Sequence, residues 1–173
     1  MDINSLHDNW QLAKVLEDMS KTDFPLMPMT LNDDFEAYEH LAASNMKTED
    51  YYRADELKTH IASGYVSAWW IKPNDQAPIA WCGMNNTNKD WPNSCNFLGV
   101  VVDKQYRNSG LALRLIRHIF RQAGHRPITT YIQPGVKTEM LLKPFGFKEV
   151  GVKECWKLYV CENNPFAEDQ SLS

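Results

Sequence analysis

The stretch Val100-Val101-Val102-Asp103-Lys104-Gln105-Tyr106-Arg107-Asn108-Ser109-Gly110-Leu111-Ala112 changes its periodicity part-way along, and that change limits the folds open to the chain. From Phe97 to Val102 the run is almost continuously apolar and rich in β-branched residues, the pattern of a strand covered on both faces. From Ala112 onward, apolar side chains fall at Ala112, Leu115, Ile116, Ile119, Phe120 and Ala123, the spacing of one buried helix face. Arg114, Arg117, His118, Arg121 and Gln122 form the opposite face, which is expected to meet water or an anion, and Gly124 closes the helix. The first turn of a helix leaves backbone N–H groups without intrahelical partners and carries the positive end of the dipole, so the loop from Arg107 to Ala112 is a ready anion cradle. Gly110 has no side chain to hold a phosphate away from that backbone.

Neither a P-loop nor a dinucleotide-binding glycine fingerprint is present. Arg107-Asn108-Ser109-Gly110-Leu111-Ala112 instead fits the pattern Gln/Arg-x-x-Gly-x-Gly/Ala, and downstream stands Leu141-Leu142-Lys143-Pro144-Phe145-Gly146-Phe147, a helix end followed by a Gly-Phe turn. On these two signatures, in this order, the chain resembles the GCN5-related N-acetyltransferase superfamily. The resemblance implies an α/β fold with a mixed, mostly antiparallel central sheet flanked by helices. It implies acetyl-coenzyme A as cosubstrate, with no metal, and transfer of its acetyl group to a primary amine of a small molecule or a protein. Val100, Val101 and Val102 would line up with the pantetheine arm and offer a backbone N–H to the acetyl oxygen. Arg107, Asn108, Ser109, Gly110, Leu111, Ala112 and Leu113 would hold the pyrophosphate.

The remaining pattern agrees in order. Asn9 to Met19 reads as a helix, and Asn32 or Asp33 could cap a second one carrying Phe35, Tyr38, Leu41 and Ala42. Asp55 to Ala62 reads as a third. The first strand is either Met1 to Leu6 or Leu26 to Leu31. Alternation then predicts a hairpin of Tyr65 to Lys72 with Pro78 to Asn85, followed by a polar loop over Asn86 to Asn93. After the central helix come a strand at Pro127 to Gln133, a short helix at Lys137 to Lys143 that Pro144 must end, and a closing pair at Phe147 to Val152 and Cys155 to Val160.

At 173 residues the chain is long enough for one well-filled domain, expected over 1–162 with a polar, flexible tail over 163–173. No run of about 18 apolar residues and no signal-peptide layout is present, so a soluble cytoplasmic protein without membrane partners is expected. Cys82, Cys95, Cys155 and Cys161 lack metal-ligand spacing and read as buried reduced thiols. The net charge of −4 hides an asymmetry: residues 1–60 carry 13 acidic and 5 basic side chains, whereas residues 103–126 carry six basic ones against Asp103 alone. One region suits an anionic cofactor and the other a cationic acceptor, although both patterns also describe ordinary solvated helices. A pI near 5.7 argues against nucleic acid as the partner. Exposed edge strands would allow a homodimer.

The proton carriers are harder to place. An alkylammonium of pKa about 10.4 is only about one part in 2,500 neutral at pH 7, so a general base would help. Many superfamily members carry a glutamate on the strand after the central helix; here that strand reads Ile128-Thr129-Thr130-Tyr131-Ile132-Gln133. The usual tyrosine acid is replaced by Leu142 and a common asparagine by Gly135. Tyr131 is a candidate proton donor and Asp90 a candidate base or substrate anchor, each with an ordinary alternative as a sheet aromatic and a loop carboxylate. None of the five histidines falls in a metal-spaced or triad-like cluster. A non-catalytic acyl-coenzyme A-binding module of the same fold is the main rival.

Overall fold

A computed structural model of the chain describes residues 25–47, 50–73, 76–133 and 142–167. These form β1 (Leu26–Pro28), α1 (Phe35–Asn45), α2 (Ala54–Ala62), β2 (Val66–Ile71), β3 (Ala80–Asn85), β4 (Cys95–Val102), α3 (Leu111–Ala123), β5 (Ile128–Ile132), β6 (Lys148–Lys153) and β7 (Trp156–Cys161). The strands make one sheet in the order β1-β2-β3-β4-β5-β7-β6. β4 runs parallel to β5, while β1 with β2, β5 with β7 and β6 with β7 are antiparallel. This is the mixed, mostly antiparallel sheet with flanking helices that the motifs imply.

Among the described residues the first strand is Leu26–Pro28, within the second of the two expected segments, and it pairs with Trp69–Ile71. Met1 to Leu6, the helix expected at Asn9 to Met19, and most of that expected at Lys137 to Lys143 lie outside the described residues.

The chain falls into two compact units, one taking residues up to Met84 with Gly99–Ile116, the other Asn85–Leu98 with the chain from Arg117 on. In the first, α1 packs on α2 and α2 on β2. The cap of α1 differs from expectation by one residue. The Asp34 carboxylate accepts from Ala37 N–H at 3.2 Å and caps the helix, while Asp33 is taken by the Thr30 N–H at 2.6 Å. Side-chain capping satisfies an otherwise orphaned N–H, and either aspartate could have done so on composition alone. The predicted inward residues Phe35, Tyr38, Leu41 and Ala42 are all buried. Val66, Ala68 and Trp70 form the buried face of β2, as alternation requires, and Ile71 is covered as well.

In the second unit, the Gly-Phe turn builds an aromatic core. Phe120 of α3 meets Phe145, Phe147 and Phe166 edge-on, with centroids 5.3, 5.8 and 5.9 Å away. Such tilted pairs put the positive ring edge against the negative ring face. The segment read as a loose tail therefore begins packed: Phe166 is buried, and the Asn164 side chain donates to the carbonyls of Phe120 and Gly124 at 2.6 and 2.7 Å, closing the end of α3. Arg117, assigned to a solvated face by periodicity, is 7% exposed and lies over the Phe166 ring at 5.2 Å. Arg114 is 5% exposed. A long aliphatic stem can be covered while the guanidinium finds partners, which a pattern of apolar letters does not register. Three cysteines are buried as expected; Cys155, in the β6–β7 turn, is exposed.

Candidate functional site

In the first unit, the end of β4 and the loop into α3 make the cradle. β4 is fully buried over Cys95, Asn96 and Phe97, then half-exposed at Leu98, Gly99 and Val100. The strand is thus covered on both faces only in its first part. Gly99, inside the continuous strand, has φ +155, a conformation that side chains resist. The parallel pairing with β5 covers Cys95 and Asn96 against Ile128 and Thr129. Beyond it, within the second unit, the Thr130 hydroxyl donates to the Phe97 carbonyl at 3.2 Å.

After Val102 the chain makes a short 3-10 turn over Lys104–Tyr106, capped by Asp103, whose carboxylate accepts from Gln105 N–H at 3.2 Å. The Ser109 hydroxyl donates to the Tyr106 carbonyl. Asn108 at φ +63 and Gly110 at φ +84 curl the backbone into α3. Arg114 N–H makes an i→i−4 bond to Gly110 O at 3.1 Å, so the N–H groups of Leu111, Ala112 and Leu113 stand ahead of it at the positive end of the helix. No Asp or Glu occurs between Lys104 and Arg126. Curled backbone, leading N–H groups and one sign of charge together fit an anionic pyrophosphate.

The Arg107 side chain is anchored within the protein. Its Nε donates to the Val102 carbonyl at 3.3 Å and its Nη2 to Asn45 Oδ1 at 3.0 Å. Two of the guanidinium's donor nitrogens are thus committed to the protein itself.

In the second unit, the two proton-carrier candidates meet each other. Tyr131 Oη donates to Asp90 Oδ2 at 2.5 Å, and Lys153 Nζ reaches the same oxygen at 2.6 Å. Asn88 completes the group: its Oδ1 accepts from Asp90 N–H at 2.9 Å and lies 3.2 Å from Tyr131 Oη, and its Nδ2 donates to Thr129 Oγ1 at 2.8 Å. The chain of bonds continues inward from Thr129 Oγ1 to Asn96 Oδ1 at 2.9 Å, and from Asn96 Nδ2 to Asn85 Oδ1 at 3.0 Å. Lys153 first, then Tyr131, hold the Asp90 carboxyl below its usual range. Burial first, then Asp90, push the Tyr131 phenol up. Asp90 raises the Lys153 ammonium. An acid tied to its own partner and a carboxylate made less basic are both ill-suited to move a proton at neutral pH. Leu142, at the position of the usual acid, is 1% exposed and packed in the core.

Sequence reading missed Asn45 and Lys153, which lie 62 and 63 residues from the partners they meet, and no local pattern marks either. Gly99 carried a signal, an isolated glycine inside a strand pattern, which often marks a special backbone conformation.

No curated protein matches the chain in sequence. Solved structures do match in fold. The ribosomal-protein-S18-alanine N-acetyltransferase of Escherichia coli aligns with a TM-score of 0.59 at 12% identity, over 79% of this chain and 90% of that one. A spermidine N-acetyltransferase variant from Vibrio cholerae gives 0.58 at 17%, over 80% and 92%. A GNAT-family acetyltransferase from Staphylococcus aureus gives 0.59 at 13%, over 79% and 97%. The family model for the acetyltransferase (GNAT) family matches residues 29–147, a span that contains β4, the cradle, α3 and the Gly-Phe turn. With more than half of its length inside that match, the chain belongs to the acetyltransferase (GNAT) family.

Proposed function

We propose that the protein transfers an acetyl group from acetyl-coenzyme A to a primary amine of a small molecule or a protein. The observation that carries this reading is the loop from Arg107 to Leu113, curled by the positive φ of Asn108 and Gly110 onto the leading end of α3. Its backbone, with that of Val100, Val101 and Val102, would hold the pyrophosphate and the pantetheine arm. Acetyl-coenzyme A supplies an activated thioester; the protein's part is to fix it, to place an N–H where negative charge develops on the acetyl oxygen, and to admit the amine. Side-chain acid–base assistance is not assigned, because Tyr131 and Asp90 are committed to each other and to Lys153. A thiol of pKa about 8.5 leaves without the help an alkoxide needs, so catalysis does not require it.

The acceptors named for the structural relatives, spermidine and a ribosomal-protein alanine, both present an amine. The acidic balance of residues 1–60 suits a cationic acceptor of that kind. Edge strands β1 and β6 carry exposed Met27, Val150 and Val152, which supports the expectation of a homodimer. No helix among the described residues is long and apolar enough to cross a membrane.

The commitment of Tyr131 and Asp90 also favours a second reading, a binding module that keeps the cradle and does no chemistry. Titration of coenzyme A followed by thiol release over a panel of amines separates them. Binding with turnover on one amine supports transfer, binding without turnover on any amine supports the module, and no binding at tens of micromolar contradicts both.

A further inference from the structure

Arg107 and Asn45 form a link that neither the motif nor the family match assigns. Asn45 is the last residue of α1. Its Nδ2 donates back to the carbonyl of Leu41, one turn earlier in the helix, at 2.9 Å. That bond fixes the amide plane, so Oδ1 points outward as an acceptor with one orientation, and Arg107 Nη2 donates to it at 3.0 Å. The last turn of α1 contains no basic residue, so the guanidinium supplies the cation that the negative end of the helix favours. On its other side, Arg107 Nε hooks back to Val102 O, the last carbonyl of β4, at 3.3 Å. Two anchors therefore hold the residue that immediately precedes the left-handed turn at Asn108. The same helix end approaches β4 a second time, where Met46 Cε lies 3.9 Å from the position a Cβ on Gly99 would take.

We propose that Asn45 is a positioning residue for the anion cradle: by clamping Arg107 between the end of α1 and the end of β4, it presets the 107–113 backbone for a pyrophosphate. The inference rests on the cradle reading above and deepens it. A loop of exposed residues, with Arg107, Asn108 and Ser109 all at the surface, would otherwise lose conformational freedom on binding, and a preset loop avoids much of that loss. The clamp acts through backbone shape, so its loss weakens anion binding without removing any group that touches the anion. Asn45→Asp keeps an acceptor for the arginine but loses the donor to Leu41 and puts a negative charge at the helix C-terminus, so it keeps only part of the clamp, whereas Arg107→Lys keeps the charge but cannot span both anchors.

The test is calorimetric titration of coenzyme A into the wild-type chain, Asn45→Ala, Asn45→Asp, Arg107→Ala and the Asn45→Ala/Arg107→Ala double variant, with thermal melting to confirm folding. Amide hydrogen exchange of residues 107–113 is measured in each protein without ligand. The inference expects Asn45→Ala to weaken binding about fivefold, or about 1 kcal/mol, Asn45→Asp to weaken it less than Asn45→Ala, and the double variant to match Arg107→Ala alone. It also expects faster exchange at 107–113 in Asn45→Ala before any ligand is added. Wild-type affinity in Asn45→Ala, or additive losses in the double variant, overturns the clamp and leaves the cradle reading standing. Absence of coenzyme A binding by the wild-type chain overturns the cradle reading, and unchanged exchange in Asn45→Ala overturns the clamp by itself.

Discussion

The proposed cradle at Arg107–Leu113 and the cluster around Asp90 are made in opposite ways. The cradle is one unbroken stretch of chain whose working groups are backbone N–H donors, shaped by two positive φ values and a helix start. The cluster is made of side chains from the β3–β4 loop, β5 and β6, joined by short bonds that converge on one carboxylate oxygen, Asp90 Oδ2. A backbone site keeps its chemistry while its side chains vary, whereas a side-chain cluster depends on each residue type that builds it. The difference supports the role proposed for the cradle in binding, while the cluster ties the β3–β4 loop to β5 and β6.

Replacing Gly110 with valine should break the first half of the comparison most severely. A β-branched side chain resists φ +84 and would stand where the anion approaches the backbone. Coenzyme A affinity is expected to fall about 100-fold, or about 2.7 kcal/mol, in calorimetric titration, with the melting transition retained. Unchanged affinity would remove the cradle from the account.

On the other side, Thr129→Val tests whether the cluster is a tie. Thr129 is fully buried and joins Asn88 to Asn96. Removing its hydroxyl leaves both amides short of a partner and should cost about 1–3 kcal/mol in chemical denaturation while leaving coenzyme A affinity within about twofold of wild type. A larger change in affinity than in stability would reverse the assignment of roles.

The pH profile sharpens the same contrast. With no side-chain base, kcat/KM for a primary amine should climb about tenfold per pH unit from pH 7 to 9, following the free amine whose pKa is about 10.4. A plateau beginning near neutrality would instead reveal a base, and its loss in Tyr131→Phe would place that base in the cluster.

The smallest expected effect is that of Asp90→Asn. The folded pKa of Asp90 is lowered by Lys153 and Tyr131, so its contribution to stability is fully present above the unfolded value of about 3.9 and is lost as pH falls through the folded one. Melting temperatures of wild type and variant should therefore differ slightly at pH 6 and converge as the pH falls below the ordinary carboxylate range. Because the ion pair is substantially exposed, the difference should also shrink in high salt.

What the sequence made legible follows the same division. The change from a strand run to helical spacing located the end of β4 and the start of α3 within a residue or two, because those signals are local. The hairpin, α2 and the closing strands were legible for the same reason. The cap of α1 moved from Asn32 or Asp33 to Asp34 because adjacent aspartates compete for neighbouring N–H groups, and tertiary context decides between them. Burial of Arg114 and Arg117 was illegible, since periodicity sorts side chains by polarity and these bury their stems. Tyr131 and Asp90 could each be named as chemically capable, but the bond between them spans 41 residues and depends on how β5 faces the β3–β4 loop. Asn45 and Lys153 enter only through three-dimensional proximity.

Amide hydrogen exchange with and without saturating coenzyme A tests the central claim most directly, because it reads both regions in one experiment. The account predicts slower exchange at residues 99–102 and 107–113 and no change at 88–90, 131 and 153. Protection centred on the Asp90 cluster, or none at 107–113, would contradict it.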